Sequence, residues 1–303
     1  MALPFPDIPP AIFTIPAVHL GDFALGPLSV RWYALGYIAG ILLGWRYATA
    51  LAKNARLWGS RGAPISLSQI DDMILWITIG VIAGGRLGYV LFYMLPLASG
   101  RAELAADPVE IIRLWHGGMS FHGGLIGVIV ALIVFTRRQR IDLLRLTDLV
   151  APCVPIAFGL VRVANFINGE LWGRVTTSPL GMVFCSSHLA TNAYGSCVAG
   201  SLPRYPSQLF EATLEGLVLF AILWVATHRL GWLRRQGAVT GLFLLSYGAA
   251  RTALENVRMP DEGFRNLPYG VTMGMILSAP MILGGLFLIW RAFSRPADPI
   301  PAT

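Results

Sequence analysis

Between Arg162 and Arg174 the chain reads R-V-A-N-F-I-N-G-E-L-W-G-R. Arg162, Asn165, Asn168 and Glu170 arrive together at the end of an apolar stretch, Leu146 to Leu160, that has membrane character. An ionisable side chain within a bilayer costs about 3 kcal/mol or more, so such a group marks a functional site by default. Arg162 and Asn165 are three apart, and a helix places them on one face. A cation beside an amide in an apolar wall suits a phosphate headgroup or a polarised carbonyl. Three other groups repeat the pattern. Tyr247, Arg251, Glu255 and Arg258 follow helical spacing, as do Arg86, Tyr89 and Tyr93. His122 stands among five glycines in G-G-M-S-F-H-G-G-L-I-G, residues 117–127. So many glycines weaken a helix, and they let a backbone approach a ligand closely.

Plainer readings stand beside these. Arg251 and Glu255 can form an intrahelical ion pair, Arg86 can donate to nearby carbonyls, and His122 can be a packed polar group. Gly80, Gly84 and Gly88 form a small-residue stripe suited to close helix contact. Glu211 and Glu215 share a helix face, which serves a structural network as readily as catalysis. His116, His188 and His228 carry no signal.

The elements that must position these residues are membrane helices. Of 303 residues 55% are hydrophobic and 13% charged, against about 25% charged in soluble domains, and mean hydropathy is +0.63. Windows long enough to span a bilayer fall near 30–52, 70–95, 117–136, 147–167, 207–229, 238–256 and 270–291. The expected fold is therefore an all-α integral membrane protein of about seven transmembrane helices with a small extracytoplasmic loop region. Residues 1–29 form an N-terminal segment, 30–291 the membrane domain, about 168–206 a cap loop, and 292–303 a short tail. In that arrangement Tyr33, Arg86, His122, Arg162 and Arg251 all fall in one half of the bilayer.

Basic residues set the orientation. Arg46, Lys53, Arg56, Arg61, Arg137, Arg138, Arg140, Arg145, Arg229, Arg234, Arg235, Arg291 and Arg295, thirteen in all, lie on one side. Arg101, Arg113, Arg174, Arg204, Arg258 and Arg265, six in all, lie on the other. The richer side is expected in the cytoplasm, with the N-terminus outside and the C-terminus inside. This distribution accounts for the pI of about 9.7 without a nucleic-acid partner. Residues 1–30 contain no Lys or Arg and do not read as a signal peptide. The three cysteines, Cys153, Cys185 and Cys197, form no C-x-x-C, and no zinc or other metal site is expected. Cys185 and Cys197 share one loop and can pair if it faces an oxidising space.

At these residues the chain resembles the bacterial prolipoprotein diacylglyceryl transferases. Residues 162–174 are similar to that family's signature, G-R-x-G/A-N-F-x-N-x-E-x-x-G, with Val161 where the family has Gly. Further similar stretches are W-H-G-G-M-S-F-H-G-G-L-I-G at 115–127, G-G-R-L-G-Y-V-L-F-Y at 84–93, P-R-Y-P-S-Q-L-F-E at 203–211 and G-A-V-T-G-L-F-L-L-S-Y-G-A-A-R at 237–251. The resemblance runs in order from about Tyr33 to Trp290, and residues 175–202 are its least similar part.

The resemblance implies transfer of the diacylglyceryl group of phosphatidylglycerol to the lipobox cysteine of a prolipoprotein signal peptide. A thioether forms and glycerol 1-phosphate leaves. It implies roles for Arg162, Arg251, His122 and Tyr33 in the reaction, and for Asn165 and Gly173 beside them. Arg86, Glu170 and Asn168 complete the expected substrate-binding set. No cofactor is implied, and the expected location is the bacterial cytoplasmic (inner) membrane, among membrane lipids. The thiol must lose its proton to attack, and His122 either takes it or positions the substrate. Two guanidiniums suit the growing charge of the leaving phosphate. The alternative is an anionic-lipid transporter or flippase, which requires access from both sides and often shows internal repeats. A membrane acyltransferase or hydrolase is the third reading, without a G-x-S-x-G or H-E-x-x-H to carry it.

Overall fold

The computed structural model describes residues 3–20, 23–25, 28–189, 196–259 and 270–299, with the side chains of 18–28 and of Trp115 left aside. Arg265, the stretch 190–195 of the cap loop and the last residues of the tail lie outside it.

The described residues form ten α-helices in chain order: α1 (Trp32–Lys53), α2 (Leu67–Tyr89), α3 (Ala98–Ala106), α4 (Phe121–Gln139), α5 (Leu143–Val150), α6 (Val154–Ile167), α7 (Ser207–Glu211), α8 (Leu219–His228), α9 (Ala238–Leu254) and α10 (Met273–Phe293). Local chemistry sets their starts. Ser66 and Gln69 form a reciprocal capping box at α2. Ser120, Asp142 and Thr272 accept the backbone N–H three residues on at α4, α5 and α10, each satisfying an otherwise unpaired donor. Pro152 lacks an amide hydrogen, and the chain tightens into a 3₁₀ turn at Ala151–Cys153 between α5 and α6. The two helices still make one rod, Leu143–Ile167. A π-helical segment, Ala212–Val218, joins α7 to α8 as a second composite rod.

Among the described residues five rods have both the length and the hydropathy to cross a membrane: Leu67–Met94, Phe121–Gln139, Leu143–Ile167, Ser207–His228 and Met273–Phe293. The sequence windows at 30–52 and 238–256 also become helices, but each meets one requirement only. α1 has 22 residues, and its Gly, Trp, Tyr and Arg46 dilute its hydropathy. α9 is apolar and only 17 residues long.

Contacts gather the rods by their ends. At one end Arg61 pairs with Asp298 at 2.5 Å, Gln236 donates to Asp142 at 2.6 Å, and Arg235 donates to the Arg295 carbonyl at 3.0 Å. An extended apolar core lies towards this basic end, where Trp58, Ile70, Phe135, Leu146, Leu149, Leu223 and Val239 belong to one buried cluster. At the other end a cap forms around Phe5, Phe166, Met182, Phe184 and Ala199. Cys185 and Cys197 are disulfide-bonded within it, with Cα atoms 5.5 Å apart.

The all-α expectation is corrected at the cap. β1 (Leu3–Pro4) pairs in parallel with β6 (Met182–Val183), β2 (Ala11–Ile15) runs antiparallel to β5 (Leu28–Arg31), and β3 (Val18–Leu20) to β4 (Phe23–Leu25). Strands of two to five residues are too short to show a period-two pattern. β1 also depends on a partner in the cap loop, beyond the first four long helical rods in sequence.

Candidate functional site

Glycines bring the polar side chains together. Gly36 and Gly40 let α1 settle on α6, and a Cβ on Gly40 would lie 2.9 Å from the Ala157 Cα. Gly159 and Gly216 meet where α6 crosses the π-helical segment, a Cβ on Gly216 falling 2.7 Å from the Gly159 Cα. One turn beyond that crossing, Arg162 reaches the two carboxylates of the partner rod. Its Nε lies 2.7 Å from Glu211 Oε2, and its NH2 3.5 Å from Glu215 Oε2.

The ion pairs then continue as an alternating chain. Glu211 also accepts from Arg258 NH1. Arg258 Nε lies 3.5 Å from Glu255 Oε1, and Arg251 NH2 lies 2.7 Å from the same oxygen. The order is Arg162, Glu211, Arg258, Glu255, Arg251, with Glu215 as a branch on Arg162. Glu211 and Glu215 are fully buried, whereas the side chains of Arg162 and Arg251 remain 22% and 17% exposed. The two ends of the chain are thus its open members. Arg251 NH1 and Glu215 Oε1 are buried and have no hydrogen-bond partner among the described residues. The intrahelical Arg251–Glu255 pair anticipated from sequence is present, as one link of a longer network.

The rest of the Arg162 motif builds the wall beside the chain. Asn165 is buried and donates to Glu170 Oε1 at 2.7 Å, and Asn168 donates to the same oxygen at 3.4 Å. Gln208 donates to the Glu170 carbonyl at 2.5 Å, which ties the motif to α7. Gly173 is a packing residue: its N–H donates to the Tyr205 carbonyl at 2.9 Å, and it bridges to Arg258. A Cβ there would fall 2.8 Å from the Tyr205 carbonyl oxygen. Arg174 Nε donates to the Arg258 carbonyl at 2.8 Å, closing the same corner.

Arg86, expected among the substrate-binding residues, is bonded to the segment before α4. Its guanidinium donates to the carbonyls of Ile111, Gly117, Gly118 and Glu110 and to Glu110 Oε1. It is 4% exposed and holds the segment before α4 in place. Glu110 also receives His116 and Arg113. Burial pushes the Glu110 carboxyl up, but hydrogen bonds from His116, Arg86 and Arg113 outweigh it and hold the group below the ordinary carboxylate range. Gly80, Gly84 and Gly88 face Gly123 and Gly127, and a Cβ on Gly80 would meet the Gly127 carbonyl oxygen at 2.7 Å. The glycines after His122 therefore serve the α2–α4 contact. His122 itself is exposed on the first turn of α4, with a ring contact to Phe121 and no link to the arginine chain among the described residues. Tyr33 packs against Tyr37 with ring centroids 5.1 Å apart and planes tilted by 54°, and Tyr37 lies in the field of Arg162 and Glu170.

Two elements of this site went unassigned in the sequence. Arg258 joins the two halves of the ion-pair chain, a contact between distant segments that spacing alone does not reveal. Asp148 is buried and accepts from Gly237 N at 2.6 Å, Thr240 N at 2.8 Å and Thr240 Oγ1 at 2.7 Å. It caps the start of α9 from α5, so the rods carrying Arg162 and Arg251 are fixed to each other at their far ends. Among the described residues no group of three or more His, Cys, Asp and Glu side chains is placed to hold a metal.

A family model described as prolipoprotein diacylglyceryl transferase matches residues 22–291. A phosphatidylglycerol–prolipoprotein diacylglyceryl transferase of Caulobacter vibrioides is 58% identical over 284 residues, covering 93% of this chain and 94% of its own length. The protein of that name from Phenylobacterium zucineum is 53% identical over 297 residues, covering 98% and 97%. The one from Rhizobium meliloti is 46% identical over 296 residues, covering 97% and 96%.

Proposed function

The chain belongs to the prolipoprotein diacylglyceryl transferase family, and on that premise we propose that the arginine–glutamate chain is where it cleaves phosphatidylglycerol. The reaction moves the diacylglyceryl group onto the lipobox cysteine of a prolipoprotein. Sulfur forms a bond to the terminal glyceryl carbon, the bond from that carbon to the phosphate oxygen breaks, and the electron pair leaves with glycerol 1-phosphate. The thiol proton passes to a base.

One observation carries this reading: the ion-pair chain ends in two arginines that remain partly open, one of them with a buried N–H that no group accepts among the described residues. A phosphate between Arg162 and Arg251 would receive donors from both. The carboxylates behind them fix each guanidinium before the lipid arrives, so little reorganisation is needed as charge grows on the leaving oxygen. Asn165 and Glu170 stiffen the wall, with Asn168 against the same carboxylate, and Gly173 lets the segment at Arg258 pack against it. Tyr33 and Tyr37 complete the rim from α1. Arg86 acts from outside this group by holding residues 110–118. His122, which has no hydrogen-bond partner among the described residues, is assigned the thiol proton. Its exposure requires the signal peptide to enter laterally beside α4.

We further infer that all seven rods cross the bilayer, with the basic end in the cytoplasm and the cap outside. The contacts among residues 59–62, 142–145, 234–236 and 292–299 support this alternation, as does the excess of Arg at that end. The packed core at the basic end, where Trp58, Leu146, Leu149 and Leu223 are buried, favours a one-sided enzyme over a transporter. Release of glycerol 1-phosphate should require both the lipid and a cysteine peptide. Equal release with a serine-substituted peptide would contradict sulfur as the nucleophile.

A further inference from the structure

We propose that Glu215 reads the glycerol of the lipid headgroup, making it a specificity-determining residue; this rests on phosphatidylglycerol binding between Arg162 and Arg251. In this cluster, among the described residues, Asn168 Oδ1, Gln208 Oε1, Glu211 Oε2, Glu215 Oε1, Arg251 NH1 and Glu255 Oε1 are buried without a hydrogen bond. Glu211 Oε2 and Glu255 Oε1 face arginines, and of the charged groups' atoms that leaves Glu215 Oε1 and Arg251 NH1. Glu215 Oε1 and Arg251 NH1 are buried, take part in no ion pair, and have no hydrogen-bond partner among the described residues. One is an acceptor and the other a donor, and the two groups lie in each other's electrostatic field. Buried polar atoms are almost always paired, so two orphans of opposite kind in one cluster point to a ligand that supplies the missing partners.

The chemistry of that ligand follows from the pair. A phosphate oxygen accepts from Arg251 NH1. A phosphate diester has no proton to offer Glu215, so the second partner must be a donor a few bonds away. A glycerol hydroxyl is such a donor. A simple alkyl headgroup carries none. An ammonium headgroup would set a second cation against Arg162, whose guanidinium already lies 3.5 Å from the same carboxylate. The position of Glu215 serves this reading. It lies within the π-helical segment Ala212–Val218, one turn after Glu211. Glu211 is spent on Arg162 and Arg258, whereas Glu215 gives one oxygen to Arg162 and keeps the other free.

The test compares phosphatidylglycerol with phosphatidylpropanol, which keeps the phosphodiester and lacks both headgroup hydroxyls. Purified full-length protein is assayed with a lipobox peptide, and kcat/KM is taken for each lipid. A hydrogen bond to a buried charge corresponds to a preference of roughly 10- to 100-fold for phosphatidylglycerol in the wild type. Glu215→Leu should reduce that ratio to less than about threefold. Glu215→Gln, whose amide oxygen still accepts, should fall between. The ratio is internal to each protein, so partial misfolding does not alter it. If a variant turns over neither lipid, its thermal protection by glycerol 1-phosphate is compared with that by propyl phosphate. Loss of the wild-type difference supports the proposal, and its persistence overturns it. A wild type indifferent to the hydroxyls, or a Glu215→Leu protein with the wild-type ratio, also overturns it. Both results leave phosphatidylglycerol as substrate, whereas a wild type that turns over neither lipid removes the underlying reading instead.

Discussion

Replacing Arg258 with Met should damage stability and turnover together. Arg258 is 10% exposed and neutralises Glu211 and Glu255, whose side chains are 0% and 5% exposed. Removing one partner of a buried pair typically costs about 3–5 kcal/mol. Here each carboxylate keeps one further arginine, so the lower end, about 3 kcal/mol, is expected. At roughly 2–4 °C per kcal/mol for a protein of this size, the unfolding midpoint should fall by about 6–12 °C. Glu211 would then depend on Arg162 alone and Glu255 on Arg251 alone. Each phosphate-binding arginine would be drawn to its carboxylate, and kcat/KM should drop by about 10²-fold. Arg258→Lys restores the charge without the planar fork, so it should recover most of the stability and less of the rate. The assay is thermal unfolding in detergent beside turnover of phosphatidylglycerol with a lipobox peptide. An Arg258→Met protein with an unchanged midpoint would refute the continuous ion-pair chain. If its turnover were nonetheless lost, Arg258 would be a direct ligand of the lipid.

Further outcomes follow from the same geometry. Arg162→Lys keeps the charge but cannot reach Glu211 and a phosphate at once, so transfer should fall by about 10²–10³-fold in protein that still inserts; near-normal transfer would exclude bidentate recognition by Arg162. Glu110, held below the ordinary carboxylate range, contributes stability that is fully present above its unfolded pKa and lost as pH falls through its lower folded value. Unfolding midpoints of wild type and Glu110→Gln should therefore converge at acid pH, and a gap that widens on acidification would contradict the clamp on Arg86. A reporter active only outside the cytoplasm should work when fused near Asn192, which lies outside the described residues, and be silent near Arg138. The reverse pattern would invert the topology.

The helices were legible because membrane spans are written in long apolar windows. The sequence window 207–229 corresponds to Ser207–His228, and 70–95 to Leu67–Met94. The window at 117–136 began too early, because Gly117 and Gly118 take positive φ and Ser120 starts α4 only afterwards. The polar face of Arg251, Glu255 and Arg258 was visible from spacing, and so was Arg162 as a costly intramembrane cation. What Arg258 does was not, because its partner Glu211 lies on another rod and no local pattern encodes that meeting. The glycines around His122 suggested backbone approach to a ligand, and Gly123 and Gly127 approach α2. The strands of the cap left no trace in the sequence, since β1 is paired with residues 181–183, far along the chain.

The most direct measurement uses phosphatidylglycerol labelled separately in its acyl chains and in its headgroup, with purified protein and a lipobox peptide. Acyl label should move to the peptide through a thioether that resists mild base and thiol reagents, while headgroup label should appear in water as glycerol 1-phosphate in equal amount. Label transfer from both positions, acyl label that mild base removes from the peptide, or headgroup release without peptide modification would contradict diacylglyceryl transfer to sulfur.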